Sequence, residues 1–168
     1  MFSAKHAGRS ACFIFYRTHG LLLQWFLDTP FSMNNKIILS LDDAKTIAAA
    51  SEAEARHNDW PVVIAIVDDG GHLIHLLRLD NTQFGSVEVA IEKAHSAIAF
   101  RRPTKVWEDH IAEGRMRYLG LPGAVPIEGG LPIYAGGQFI GAVGVSGVRS
   151  NQDAQIAQAG LDTWLNAR

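Results

Sequence analysis

Apolar and polar positions run along this chain in blocks of two different periods, and the blocks predict its elements. From Leu41, apolar residues recur at Ala44, Ile47, Ala48 and Ala55, with Glu52, Glu54 and Arg56 between them. That is helical spacing with one wet face. Ser40 stands before the run and Asp43 three residues later, a shortened capping box. The helix should end near His57-Asn58, because Trp60 precedes a proline and must leave the helical region. Val62 to Val67 is unbroken apolar sequence, the mark of a strand covered on both faces. Asp68-Asp69-Gly70-Gly71 signals a hairpin turn, and His72 to Leu79 returns as the partner strand. A helix follows over Ser86 to Phe100. Val87, Ala90, Ile91, Ala94 and Ile98 form its main face, and only Glu88 and Glu92 make a polar stripe. A helix this apolar is buried on more than one side, and another subunit is expected to supply part of that burial.

Thr104 reads as the cap of a short helix carrying Val106, Trp107, His110 and Ile111 and stopping at Gly114. Arg115 to Val125 is irregular; a loop of about twelve residues in a compact domain is more often functional than a short one. Leu131 to Ala135 and Gln138 to Ser146 then form a hairpin through Gly136-Gly137. On the second strand Phe139, Gly141, Val143 and Val145 should share one face, and Ile140, Ala142, Gly144 and Ser146 the other. Ser150, with Asp153 three residues on, starts the last helix. Ile37 to Leu39 is a candidate further strand. Hairpins alternating with helices, without a repeated strand-helix-strand crossover, give an α+β fold with an antiparallel sheet of about five strands.

Composition changes the picture little. The 168 residues are 48% apolar with a net charge of −2, enough for one sizeable core. There is no basic excess to suit nucleic acid or an anionic membrane. One cysteine, Cys12, excludes an internal disulfide and fits a reducing compartment, so the cytoplasm is the expected location. Residues 1–32 stand apart as an N-terminal extension. Arg17 and His19 interrupt its apolar runs, which rules out a membrane span. Met33 opens a natural-looking protein start, so an upstream extension or misassigned start is the first reading. A degenerate export signal, which would place the protein outside, and an amphipathic docking arm are the others. Residues 33–168 form the single domain.

Several catalytic motifs are excluded by spacing. Gly141, Gly144 and Gly147 stand three apart, unlike the dinucleotide or phosphate-loop glycines. They suit close helix-strand packing, although Ser146 and the helix start after it also offer amides to an anion. Gly144-Val-Ser-Gly147 lacks one residue of the serine-hydrolase elbow. His72 and His75 point to opposite faces of a strand and cannot share a metal; no metal site is expected. Lys93, His95, Arg101 and Arg102 form a basic cluster in and after the apolar helix. A buried cation needs a partner: Glu88, Glu92 or the helix C-terminal carbonyls would serve, and a bound carboxylate is the alternative.

Leu41-Asp-Asp-Ala, Val67-Asp-Asp-Gly-Gly, Glu92-Lys-Ala-His-Ser-Ala97, Gly129-Gly-Leu-Pro-Ile133 and Ile140-Gly-Ala-Val-Gly-Val-Ser-Gly147, followed by Gln152-Asp153, together resemble the GlcG/HbpS family, also called the haem-degrading or DUF336 family. The resemblance spans about residues 36 to 166. It implies a profilin-like or PAS-like sandwich that assembles into a homo-oligomer. Some members bind haem and slowly degrade it, and one group is extracellular and linked to redox sensing. Others are encoded beside glycolate or diol-utilisation enzymes, and a related domain is fused to corrinoid adenosyltransferases. Lys93, Ala94, Ser96 and Ala97 fall on the family's Lys-Ala-x-Thr-Ala pattern, with serine for threonine, and His95 fills its variable position. The resulting expectation is a small-molecule-binding accessory protein with haem as a candidate cofactor and with Lys93, His95, Arg101, Gly129, Gly130 and Ser146 at the ligand. His75, His95, His110 and Tyr134 are the side chains available to haem iron, and the sequence selects none of them. The alternatives are an enzyme acting on a small organic acid, with Lys93 or His95 as acid or base and Arg101 on the carboxylate, a corrinoid or diol-utilisation accessory protein, and a purely structural oligomer.

Overall fold

Ser40 starts the first helix as its sequence requires. Its Oγ accepts a hydrogen bond from the Asp43 amide at 3.1 Å, and Asp43 Oδ2 accepts one from the Ser40 amide at 3.4 Å. The computed structural model describes residues 35–168, so the readings of residues 1–32 and of the start at Met33 lie outside the described residues. The elements are α1 (Leu41–His57), β1 (Val63–Asp68), β2 (Leu73–Arg78), α2 (Ser86–Phe100), α3 (Lys105–Ala112), a 3-10 turn (Met116–Gly120), β3 (Gly130–Ala135), β4 (Gln138–Ser146) and α4 (Ser150–Asn166).

The strands form one antiparallel sheet in the order β2-β1-β4-β3. β1 is central, which explains its unbroken apolar run: Ile64 and Ile66 face one layer, Val63, Ala65 and Val67 the other. α1 and α4 cover the first face through Ile47, Ala48, Ile156 and Trp164. α2 covers the second with Ala90, Ala94, Ala97 and Ile98. This is the expected helix-flanked sandwich, with four strands rather than about five. Ile37 to Leu39 adds no strand. The Ile37 amide donates to the Gln138 side chain at 3.2 Å, and Leu39 is buried against Gly141, so the segment packs on the sheet instead of extending it.

Two other expectations need correction. β4 does not alternate throughout. Ile133 pairs with Gly141 and Tyr134 with Phe139, which leaves Ile140 unpaired in a β-bulge. The bulge puts Ile140 on the face of Val143 and Val145, and Phe139 on the α2 face. The predicted caps Thr104 and Ser150 do not cap either. Thr104 Oγ1 accepts the Gly130 amide at 3.0 Å, and Ser150 Oγ donates to Glu108 Oε1 at 3.0 Å. The N-cap of α4 is Arg149 instead, whose amide donates to Gln152 Oε1 at 3.2 Å. Both hydroxyls have better use holding the chain that leads into β3.

Candidate functional site

α2 lies very close to the sheet. A Cβ on Gly144 would stand 2.6 Å from the Ala94 amide nitrogen, so only glycine fits beneath the helix there. That closeness lets Lys93 reach past the sheet edge to α4. Its ammonium donates to Asp153 Oδ2 at 2.8 Å and to the Val145 carbonyl at 2.9 Å, and the residue is 1% exposed. The partner of the buried cation is therefore Asp153, not Glu88, Glu92 or the helix carbonyls. Asp153 also accepts the Val148 amide at 3.2 Å. Burial pushes its carboxyl above the ordinary range, and the Lys93 ammonium pulls the other way.

Gly129 covers this pair. Its φ is +123°, and a Cβ there would lie 2.8 Å from the Lys93 ammonium. Its carbonyl accepts the Val145 amide at 2.9 Å. Gly130 follows under the α2 backbone, bonded in both directions to Thr104. Lys93, Gly129 and Gly130 thus come together, beside Val145 and the buried Ser146 that follows it at the end of β4. His95 and Arg101 do not join them. The His95 ring packs over Gly71, and the exposed Arg101 ends α2 in the left-handed region with its guanidinium 5.8 Å from the Phe139 ring centre.

The chain from Arg115 to Gly129 runs over α2 and α3 and is clipped at intervals. Ser96 Oγ accepts the Val125 amide at 3.0 Å, and Glu108 Oε2 accepts the Glu128 amide. Burial raises the Glu128 carboxyl, with Lys105 opposing and Glu108 adding to the rise. This stretch and α3 build an aromatic wall that the sequence did not single out. Phe100 meets Trp107 edge-on at 5.1 Å, Trp107 meets Tyr118 at 5.5 Å, and His110 stacks on Tyr118 at 4.6 Å. Helical spacing does place Trp107 and His110 near one face, but the turn that brings Tyr118 back is not encoded locally. Arg102 lies over Trp107 at 5.2 Å and Arg117 over Tyr118 at 5.3 Å. The Trp107 indole N–H is buried and has no acceptor among the described residues. His110 Nδ1 stands 3.8 Å from Glu113 Oε2 and 3.5 Å from Arg115 Nη1.

Clefts open elsewhere among the described residues. One of 330 Å³ lies at Trp60 and Asp80, and one of 270 Å³ between β3 and α4 is lined by Tyr134, Leu161 and Leu165. Neither includes any of the six residues expected at the ligand. Among the described residues no three His, Cys, Asp or Glu gather as a metal site, and no helix is long and apolar enough to cross a membrane.

With this geometry in place, the likeness to known proteins is informative. The sequence family described as haem degrading protein HbpS-like matches residues 39–162. Protein GlcG of Escherichia coli strain K12 is 45% identical over 114 residues, which is 68% of this chain and 85% of GlcG. The crystal structure of Klebsiella pneumoniae protein ORFY superposes with a TM-score of 0.73 at 30% identity, covering 82% of this chain and 98% of ORFY. The structure of a PduOC:haem complex gives 0.69 at 29% identity, covering 76% of this chain and 95% of that one. The matched family region takes in the whole sandwich, from Leu39 in the core to the buried turn of α4 at Leu161, and on that ground the chain belongs to the HbpS-like family.

Proposed function

We propose that this protein is a haem-binding accessory protein. The observation that carries the reading is its likeness to a chain solved with haem, over 95% of that chain's length. The residues present suit the group. Haem iron takes His, Cys, Met or Tyr ligands, and its propionates pair with guanidinium groups. On the α3 face a half-buried histidine and an aromatic wall lie together with a buried indole N–H and two guanidinium groups; among the described residues the indole finds no acceptor and neither guanidinium a carboxylate, although Arg102 Nε donates to the Phe100 carbonyl at 3.0 Å. When bound, the haem supplies an iron centre whose reactivity the protein tunes through ligand and surroundings.

In this reading Lys93, Gly129, Gly130 and Ser146 act beneath the ligand. They fix the chain that enters β3, and Lys93 has no exposed surface to offer. Arg101 is exposed and pairs with no carboxylate among the described residues, so it remains a candidate for a propionate, and the His95 ring packs over Gly71. The half-exposed Val87, Val89 and Ile91 on α2 support self-association through that helix, the expected homo-oligomer.

Haemin titrated into the full-length apoprotein tests the reading. A saturable Soret shift at about one haem per chain is expected; a shift that rises linearly without saturation, as with serum-type nonspecific uptake, would reject it.

A further inference from the structure

Resting on the self-association proposed above, we infer that two copies join edge to edge along β2, antiparallel and centred on Leu76, so that two four-stranded sheets become one. The two edges of the sheet are built differently. β3 is closed. The outward groups of Gly130 are taken by Thr104, whose amide donates to the Gly130 carbonyl and whose Oγ1 accepts the Gly130 amide, each at 3.0 Å. Two residues on, Pro132 has no amide hydrogen to offer. Proline and a covering loop are ordinary guards of an edge strand. β2 has no such guard: Leu73-Ile-His-Leu-Leu-Arg78 contains no proline and no lysine, and among the described residues no strand pairs with its outer side. The Leu79 amide donates to the Val62 carbonyl at 3.0 Å, and Arg78 stands opposite Val63. Bonding alternates along an antiparallel strand, so the backbone groups of Leu76 and Arg78 point away from β1. Ile74 lies in a bulge and faces no residue of β1.

The surface beside this edge is apolar. The small core cluster of Val63, Ala65 and Ala90 is covered by Leu76, Val87 and Ile91, all half-exposed. Leu73, opposite Val67, is 48% exposed, and Phe84, beneath the Arg78 guanidinium, is 83% exposed. A contiguous apolar patch of this kind marks an interaction surface. A second copy is the occupant that fits it. A two-fold axis at Leu76 uses every outward position of the strand: Leu76 meets Leu76, and Ile74 meets Arg78. Counting on in the same register carries the exposed His72 toward Asp80, an exposed acid that pairs with no base among the described residues. A basic side chain thus faces an acidic one at each end of the joint, and no like charges stand opposite one another. The same axis brings Val87 and Ile91 toward the second copy, which supplies the burial that so apolar a helix requires. The contact is isologous and closes on itself, so the joint does not propagate into a fibre.

Light scattering of the full-length protein reads its mass in solution, and an introduced cysteine reads the contact. Cys12→Ser removes the one native thiol. In that background Leu76→Cys should oxidise to a linked dimer that dithiothreitol splits, because opposed residues of a hydrogen-bonded pair stand about 5.5 Å apart at Cα, within disulfide range. Tyr134→Cys, exposed on the closed edge, should stay unlinked over the same time. Leu76→Lys and Leu76→Glu should each weaken association about fivefold or more, and an equal mixture of the two should restore it; that rescue also shows that both variants are folded. A self-associating wild type in which Leu76→Cys links no faster than Tyr134→Cys, or a mixture that associates no more tightly than its components, would overturn the β2 joint while leaving self-association standing. A wild type of monomeric mass would instead reject self-association, and this joint with it.

Discussion

Replacing Lys93 with methionine isolates what the buried ion pair does. Methionine keeps most of the aliphatic stem, so packing changes little. It removes the charge opposite Asp153 and the donor to the Val145 carbonyl, which sit 2.8 and 2.9 Å from the ammonium. Lys93 and Asp153 are 1% and 3% exposed at their side chains, so solvent cannot stand in for either partner. Removing one member of such a pair costs about 3–5 kcal/mol. With a denaturant slope of about 2 kcal/mol/M, the urea midpoint falls by about 2 M, read from the fluorescence of the buried Trp107 and Trp164. The double variant Lys93→Met/Asp153→Asn removes both charges and keeps an oxygen for the Val148 amide. It should recover more than half of the loss, because an uncharged pair carries no uncompensated ion. The sign with pH follows. Burial already raises the Asp153 carboxyl, and loss of Lys93 removes what opposes that rise. The penalty exists only while the carboxylate is ionised, so the deficit of Lys93→Met should narrow as pH falls below neutrality. A single variant within about 1 kcal/mol of the wild type, or a double variant no better than the single, would refute the view that this pair holds α4 to the sheet.

Two further outcomes test the fold. Gly144→Ala places a methyl 2.6 Å from the Ala94 amide nitrogen and 3.0 Å from its Cβ; α2 must lift, at a cost of about 2–3 kcal/mol, whereas Gly85→Ala, with open space around it, should change the unfolding free energy from urea curves by less than about 0.5 kcal/mol. Asp43 accepts Trp164 Nε1 at 2.9 Å and the Ser40 and Arg168 side chains, and these bonds, the indole first, hold its carboxyl well below the ordinary 3.8. Its folded-state value is depressed, so its contribution is complete above about pH 5 and is lost as pH falls through 3.8 toward the folded value. Asp43→Asn should therefore cost about 1–2 kcal/mol at pH 7, and the gap to the wild type should close in acid unfolding curves.

The elements were legible in the sequence because each carried a local signal. The all-apolar run at Val63 to Val67 can only be a central strand, and Ser40 with Asp43 marks one helix start. The bulge at Ile140 was not legible, since Phe139, Gly141, Val143 and Val145 continue an apparent alternation straight through it. Thr104 and Ser150 were misread as caps because a hydroxyl at a helix start looks the same whether it serves its own helix or a distant strand. The demand of Lys93 for a carboxylate was legible, but its source was not. Asp153 lies sixty residues away and had a local explanation as a capping residue. The meeting of His110 with Tyr118 depends on how a loop turns, which no spacing rule describes.

The clips on the chain between α3 and β3 divide it into two parts with different freedom to change. Val125, Glu128 and Gly130 are fastened to Ser96, Glu108 and Thr104, so their positions are set by residues on the helices beneath. Arg115 to Ala124 bonds chiefly to itself and to the end of α3. Substitutions in that first part cost the sandwich little, except at Tyr118, which packs on the buried Trp107. Selection can thus reshape the exposed surface around Tyr118 while the fastened half and everything below it stay fixed.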